Sequence, residues 1–151
     1  MFYHNLYPPL FNSIKTGKVV ILLTGRYAGK KAICVSTFDK NQKRPFGHIL
    51  VAGLERSPRK VTKTMGKNTI LRRSRVKAFV KYVNISHVMP TRYSVNDIEV
   101  KSVATPERVD KISLRKQVRG SLKSLFTKAY LSKKTDKNTA GQQYFFQKLR
   151  F

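Results

Sequence analysis

The chain has 151 residues, of which 32 are Lys or Arg and only 7 are Asp or Glu, so its formal net charge is +25. Such an excess repels itself in a compact fold and needs a polyanion to neutralise it. Nucleic acid is the leading candidate, and an anionic membrane surface is the lesser one. The single cysteine, Cys34, excludes an internal disulfide and a multi-cysteine zinc site.

The N-terminal sixteen residues are aromatic and broken by Pro8 and Pro9. They lack the long apolar core of a secretory signal and the arginine-rich amphipathic face of a transit peptide. The longest apolar run of the chain, from Val19 to Leu23, is too short to cross a bilayer. We therefore expect a loose N-terminal arm and no membrane partner.

The segment from residue 17 to 35 predicts a strand, a loop and a second strand. Val19 and Ile21 share one face of the first strand, and Val20 and Leu22 share the other, so this strand should be buried on both faces. The second strand returns through residues 32–35. It contains Cys34, which we expect to be a buried, inert thiol.

The loop between these strands places Gly25 and Gly29 four residues apart, and glycine tolerates positive φ. Its cations and its tyrosine suit a phosphate backbone. A nucleotide-binding P-loop is excluded because the glycine spacing is one residue too short and Lys31 stands where Ser or Thr should bind magnesium. The remaining alternative is a hairpin whose lysines only face water.

Two further strands are predicted, over residues 48–54 and 76–83. The long basic segment between them carries Gly66 and is expected to follow an irregular path. Short strands, turn signals and no helix until late favour a small barrel. Pro90 should then force residues 87–89 into an extended or turn path that leads out of the barrel.

The C-terminal third predicts helices. Thr105 and Pro106 suit an N-cap and a first helical position, and Ser113 could equally cap a second start. From Val118 to Tyr130 the apolar residues recur at helical spacing, although Gly120 interrupts the pattern. Residues 133–143 read as a polar loop. The aromatic tail, residues 144–151, is expected to be buried against the barrel or a partner.

No active site is evident in the sequence. The seven acids are scattered without an acid–base pair. His4, His48 and His87 lack the spacing of metal ligands. We therefore expect a binding protein with no catalysis, no cofactor, no metal and no small-molecule substrate.

Three stretches together resemble one protein family: GKVVILLTGRYAGKKAICV, RPFGHILVAGLERSPRKVTKTMGKNTILRRSRVKAFVKYVNISHVMPTRYSV and FFQKLRF. They closely resemble family twenty-seven of the eukaryotic large ribosomal subunit proteins (the e-type), whose strand-loop-strand unit is a KOW motif. The likeness is near continuous from Lys15 to Val95. The arm up to Ile14 is longer and more aromatic than the family pattern, and residues 101–141 match loosely, with an apparent insertion near residues 139–141.

This resemblance implies a mainly β fold with an α extension: a small SH3-like (KOW) barrel followed by a helical C-terminal extension. It divides the chain into an N-terminal arm (1–16), the barrel with its basic segment (17–100) and the extension (101–151). It further implies a structural role in the cytosolic large subunit, with assembly in the nucleus or nucleolus. The implied partners are ribosomal RNA and neighbouring ribosomal proteins.

Cationic side chains on the loop, the basic segment and the tail are the candidates for RNA contact, because arginine can bind two phosphate oxygens and lysine acts as a point charge. Tyr27, His48, Arg92 or Tyr93 could stack on a base or ribose. The alternative functions are a KOW-type module of a transcription elongation complex and a DNA-compacting protein. The candidate RNA-binding residues are Arg26, Tyr27, Lys30, Lys31, Arg56, Arg59, Lys60, Lys63, Lys67, Arg72, Arg73, Arg75, Arg92, Lys148 and Arg150.

Overall fold

A computed structural model describes residues 14–132 and 139–150. In these ranges, five strands form one antiparallel sheet with the order β4-β3-β2-β1-β5. The strands are β1 (Lys18–Leu22), β2 (Lys31–Phe38), β3 (His48–Arg56), β4 (Lys77–Asn84) and β5 (Val88–Ser94). The predicted class, mainly β with a helical extension, is confirmed, and the sheet is consistent with a small barrel.

The sheet buries both of its faces, because side chains alternate along each strand. One face forms an inner core in which Val20, Leu22, Cys34 and Phe79 pack together. The opposite face forms an outer core with the helices. The prediction that β1 is buried on both sides is therefore confirmed. Cys34 is also buried as predicted, and desolvation raises the pKa of its thiol to about 11.

Four helices of the described C-terminal part cover the outer core, and a further short helix before β4 buries no residue. In chain order, the helices are α1 (Lys67–Arg73), α2 (Val100–Val103), α3 (Pro106–Asp110), α4 (Ile112–Leu131) and α5 (Thr139–Phe146). The start at Thr105 and Pro106 is confirmed for α3, whereas Ser113 lies inside α4 and does not cap it. As the apolar spacing predicted, α4 is one continuous helix through Gly120 and buries Val118, Leu122 and Phe126.

Three predictions about the course of the chain were wrong in part. The basic segment contains α1, so it is not irregular throughout and a helix precedes β4. The segment around Pro90 is extended as predicted, but it forms β5, which pairs with β1 in place of leading out of the barrel. This proline is tolerated because β5 is the last strand of the sheet, and an edge strand has ladder positions where no N–H is needed.

The third wrong path is the polar loop, because residues 139–143 belong to α5. Tertiary packing explains this helix better than intrinsic propensity does. Phe145 and Phe146 are buried in the outer core, which confirms that this part of the aromatic tail packs against the protein itself. The N-terminal arm up to residue 13, loop residues 133–138 and Phe151 lie outside the described residues.

Candidate nucleic-acid interface

The β1–β2 loop is a fixed structure. Gly25 and Gly29 adopt φ values of +82° and +72°, as the glycine pattern predicted. The Gly29 amide donates to the Leu22 carbonyl at 2.7 Å, and the Leu22 amide donates to the Lys30 carbonyl at 3.0 Å. Because these bonds close the loop on β1, the side chains of Arg26 and Lys30 project from a defined backbone.

Glu55, at the end of β3, is an acid beside the loop. It accepts a 2.8 Å hydrogen bond from the Lys77 ammonium and lies 4.0 Å from the Arg26 guanidinium. The Lys77 hydrogen bond is the main cause that lowers the pKa of Glu55. This carboxylate therefore stays ionised and offsets only a small part of the surrounding positive charge.

A cleft of about 1280 Å³ lies between the β1–β2 loop, the segment after β3 and the residues around α5. We call it the basic cleft. Its wall combines residues 28–31, 54–60, 142–143 and 146–150 with Arg73 and the end of α4. Among the lining residues that the structure describes, Glu55 is the only acid. Besides Lys31, several of the candidate RNA-binding cations line the cleft. They are Lys30, Arg56, Arg59, Lys60, Arg73, Lys148 and Arg150.

Arg73 fixes part of this wall. Its guanidinium donates to the Lys60 carbonyl at 3.1 Å, and the Arg59 amide donates to the Arg73 carbonyl at 2.9 Å. These two bonds tie the end of α1 to the segment after β3. Arg59 and Lys60 therefore present their exposed side chains from a held backbone.

Lys31 does not belong to the accessible surface. It is 5% exposed, and its ammonium donates to the carbonyls of Tyr144 and Gln147 at 2.7 and 2.9 Å. The ammonium also lies 3.7 Å from the centre of the Tyr144 ring. Burial lowers the pKa of Lys31. The prediction that this lysine reaches phosphate is replaced by a structural role at the C-terminal end of α5.

The predicted stacking side chains are mostly occupied inside the fold. The Tyr27 ring stacks on Phe79 with centroids 4.1 Å apart, so one of its faces belongs to the inner core. His48 is 1% exposed and hydrogen-bonded to the Phe46 carbonyl, which rules it out as a stacking platform for RNA. The Tyr93 ring stacks on Tyr144, with centroids 4.2 Å apart.

The remaining predicted cations lie outside the lining of the cleft. Arg92 is exposed on β5, where its guanidinium donates a 3.0 Å hydrogen bond to the Tyr93 hydroxyl. This hydrogen bond is the main cause that raises the pKa of Arg92. The others are Arg26, which is exposed on the β1–β2 loop, and the exposed residues on or beside α1: Lys63, Lys67, Arg72 and Arg75.

Two cations next to the loop were missed by the sequence analysis. Lys77 bonds to Glu55, and the Lys81 ammonium would lie 3.5 Å from a Cβ placed on Gly25. Both residues flank Phe79 on β4 at a spacing of two, and Phe79 contacts Tyr27 of the loop. The alternation along β4 was visible in the sequence, but the contact that places it beside the loop was not.

The described ranges contain no cluster of three or more His, Cys, Asp or Glu side chains that is suited to a metal ion. None of the helices described by the structure is both long and apolar enough to span a membrane.

Comparison with known proteins identifies the relationship. The model of the Ribosomal L27e protein family matches residues 19–151. The chain belongs to the ribosomal L27e family. A curated relative, the large ribosomal subunit protein eL27 of Tetrahymena thermophila, is 48% identical over 141 residues, which cover 91% of this chain and 97% of the relative. The family resemblance inferred from the three sequence stretches is thereby confirmed.

Membership of the L27e family makes this chain a ribosomal protein, from a family that is structural rather than enzymatic. The match runs through the β1–β2 loop, the segment after β3 and α5, and so includes the walls of the basic cleft. The alternative of a transcription elongation module gains no support from this match.

Proposed function

We propose that the protein is a structural constituent of the large ribosomal subunit and that it binds ribosomal RNA in the basic cleft. The observation that carries the proposal is the convergence of cations from separate chain segments on a cleft whose lining has one acid, in a chain of formal net charge +25. The L27e family match and the name of the Tetrahymena relative, a large ribosomal subunit protein, support placement in the large subunit.

The chemistry of the cleft suits a phosphate backbone. Arg56 and Arg59 can each bind two phosphate oxygens, while Lys30, Lys60 and Lys148 act as point charges. Recognition is of RNA shape, because the deep groove of an A-form helix hides its bases from side chains. The cations on and beside α1 extend the positive surface beyond the cleft.

The role that follows is architectural. The protein neutralises phosphates where RNA segments crowd together and holds them in place during assembly, which occurs in the nucleus or nucleolus before the subunit acts in the cytoplasm. Its other partners are neighbouring proteins of the large subunit. No step of this role requires catalysis, a cofactor or a small-molecule substrate.

A charge-matched pair of variants tests the cleft. The double variant Arg59→Ser/Lys60→Ser removes two exposed cations from it, and we expect binding to a large-subunit RNA fragment to weaken about tenfold or more, since each lost phosphate contact reduces counterion release. Fluorescence anisotropy at fixed salt measures the affinity. Sucrose-gradient sedimentation of a tagged copy in cells measures entry into large subunits.

The control is Lys40→Ser/Lys43→Ser in the connection between β2 and β3. These exposed lysines follow β2, whereas the cleft meets the start of that strand at Lys31. The eight residues of β2 span about 25 Å, and this strand separates the two control lysines from the cleft. Equal losses in the two variants would show that only total charge matters and would reject the cleft as the binding site.

A further inference from the structure

The longest helix, α4, has a second basic surface away from the cleft. Its twenty residues include five Lys or Arg and no Asp or Glu. Val118, Leu122 and Phe126 face the outer core, while Lys116, Arg119 and Lys123 are exposed. Because these three cations are spaced by three and four residues, they line one side of the helix. We call Lys116, Arg119, Gly120 and Lys123 the α4 basic face.

No packing contact within the described fold requires glycine at position 120 of this face. A Cβ added there would meet no atom within 4 Å among the described residues. Glycine is nevertheless one of the least favourable residues in a helix interior. Gly141 is the opposite case, since a Cβ there would overlap the Ser94 carbonyl. Packing thus explains Gly141 and leaves Gly120 unexplained.

Contact with a partner molecule is a physical reason for glycine at position 120. Without a side chain, the helix backbone can be approached closely, and the surrounding cations favour an anionic partner. From Lys116 to Lys123 the face extends about 10 Å along the helix axis, which is the length of about three nucleotides of a stacked strand at a rise of 3.4 Å each. The sugar-phosphate backbone of a helical RNA segment fits this length and charge.

The α4 basic face is separate from the basic cleft. The cleft meets α4 at Ala129 and Tyr130, at the end of the helix. Nine residues separate Gly120 from Ala129, which places them about 14 Å apart along the axis. One RNA segment in the cleft and another on the face would therefore occupy different parts of the surface.

We infer that the α4 basic face is a second RNA-binding surface, which takes the sugar-phosphate backbone of an RNA segment distinct from the one in the cleft. The inference rests on the proposed function and extends it, because two separate surfaces make the protein a bridge between two RNA segments. Gly120 is the point of closest approach, and the three cations beside it bind the phosphates.

The first test separates close approach from helix stability. Gly120→Gln adds a long neutral side chain at the point of closest approach, and glutamine suits a helix better than glycine does. We therefore expect the melting temperature of the variant to rise while its affinity for a 30-nucleotide RNA hairpin falls at least threefold. Ser121→Gln, at the next exposed position of α4, is the control and should leave that affinity unchanged.

The second test measures bridging. At 150 mM salt, the wild-type protein should hold a fluorescent hairpin on beads that carry the same hairpin as a biotinylated copy. Lys116→Ser/Arg119→Ser/Lys123→Ser should lose this bridging, retain binding to one hairpin and reduce the slope of log affinity against log salt by about 2 to 3.

Bridging and affinity at the wild-type level in both α4 variants would overturn this inference and leave the proposed function standing. Failure of the wild-type protein to bind the hairpin at all would overturn the proposed function and the inference with it.

Discussion

Lys31 shows how the position of a residue decides its role in a chain rich in cations. The last carbonyls of a helix have no partner within the helix and carry the negative end of its dipole. The Lys31 ammonium supplies both hydrogen bonds and positive charge to this end of α5 through Tyr144 and Gln147. Lys30 and Lys31 are neighbouring lysines in the sequence. Lys31 nevertheless forms a structural contact between β2 and α5.

Replacing Lys31 with methionine should destabilise the protein. The variant keeps an unbranched apolar stem but removes two partly buried hydrogen bonds to backbone carbonyls and the contact with the Tyr144 ring. We expect the free energy of unfolding to fall by about 1 to 3 kcal/mol. Denaturant unfolding measures this loss, and hydrogen exchange should report faster opening of α5.

Lys30→Met is the matched control, because this neighbouring lysine has no side-chain hydrogen bond among the described residues. Its effect on stability should stay within about 0.5 kcal/mol. If the two variants unfolded at the same denaturant concentration, the role of Lys31 in holding α5 would be wrong.

At the scale of elements, α5 joins distant parts of the fold. The Tyr144 ring stacks on Tyr93 of β5, and the Gln142 amide donates to the Ala129 carbonyl of α4 at 2.7 Å. Phe145 contributes a fully buried ring to the outer core. The same helix leads into Lys148 and Arg150, so its docking fixes one wall of the basic cleft.

Gly141 is the position at which α5 comes closest to β5. Gly141→Ala should destabilise the protein, because the new methyl group would overlap the Ser94 carbonyl and force the helix away from the strand. An overpacked contact of this kind costs about 1 to 3 kcal/mol and outweighs the better helix propensity of alanine. Thermal unfolding measures the change.

Gly120→Ala provides the comparison, since the same substitution in open space should stabilise α4 by up to about 1 kcal/mol. The two variants should therefore shift the melting temperature in opposite directions. A rise in both would mean that β5 can move to admit a side chain at Gly141.

The elements that sequence reasoning predicted are those with clear local patterns. A continuous apolar run predicted β1, alternation predicted β4, and helical spacing predicted α4. β5 was missed because Pro90 is a strand breaker in most positions, and because its pairing with β1 is irregular at Val19, whose carbonyl accepts a 2.7 Å hydrogen bond from the Thr91 hydroxyl. α5 was read partly as loop because its stability comes from contacts with distant residues.

The site was predictable in composition but not in arrangement. The sequence identifies the cations of the loop, the basic segment and the tail. It does not show that Lys148 and Arg150 lie across a cleft from Arg56 and Arg59, because that depends on how α5 docks. Nor does it distinguish the buried Lys31 from the accessible Lys30, since burial is decided by the pairing of strands and helices.

For the whole molecule, the balance of charge governs binding to RNA. With 32 Lys and Arg against 7 Asp and Glu, most of the binding free energy should come from counterion release. If about six to ten phosphates are contacted, affinity for RNA should fall by about 10³ to 10⁵ between 50 and 200 mM salt. Anisotropy titrations across this range measure the slope, and an affinity that does not change with salt would contradict the electrostatic mechanism.

The bond between Lys31 and Tyr144 joins residues 113 positions apart, and this separation bears on the order of events during synthesis. The strands can emerge and pair while α5 is still untranslated, because long-range contacts form only when both partners exist. A nascent chain therefore displays the β1–β2 loop but lacks the opposite wall of the basic cleft. The cleft is complete only once Arg150 has emerged from the ribosome that makes the chain.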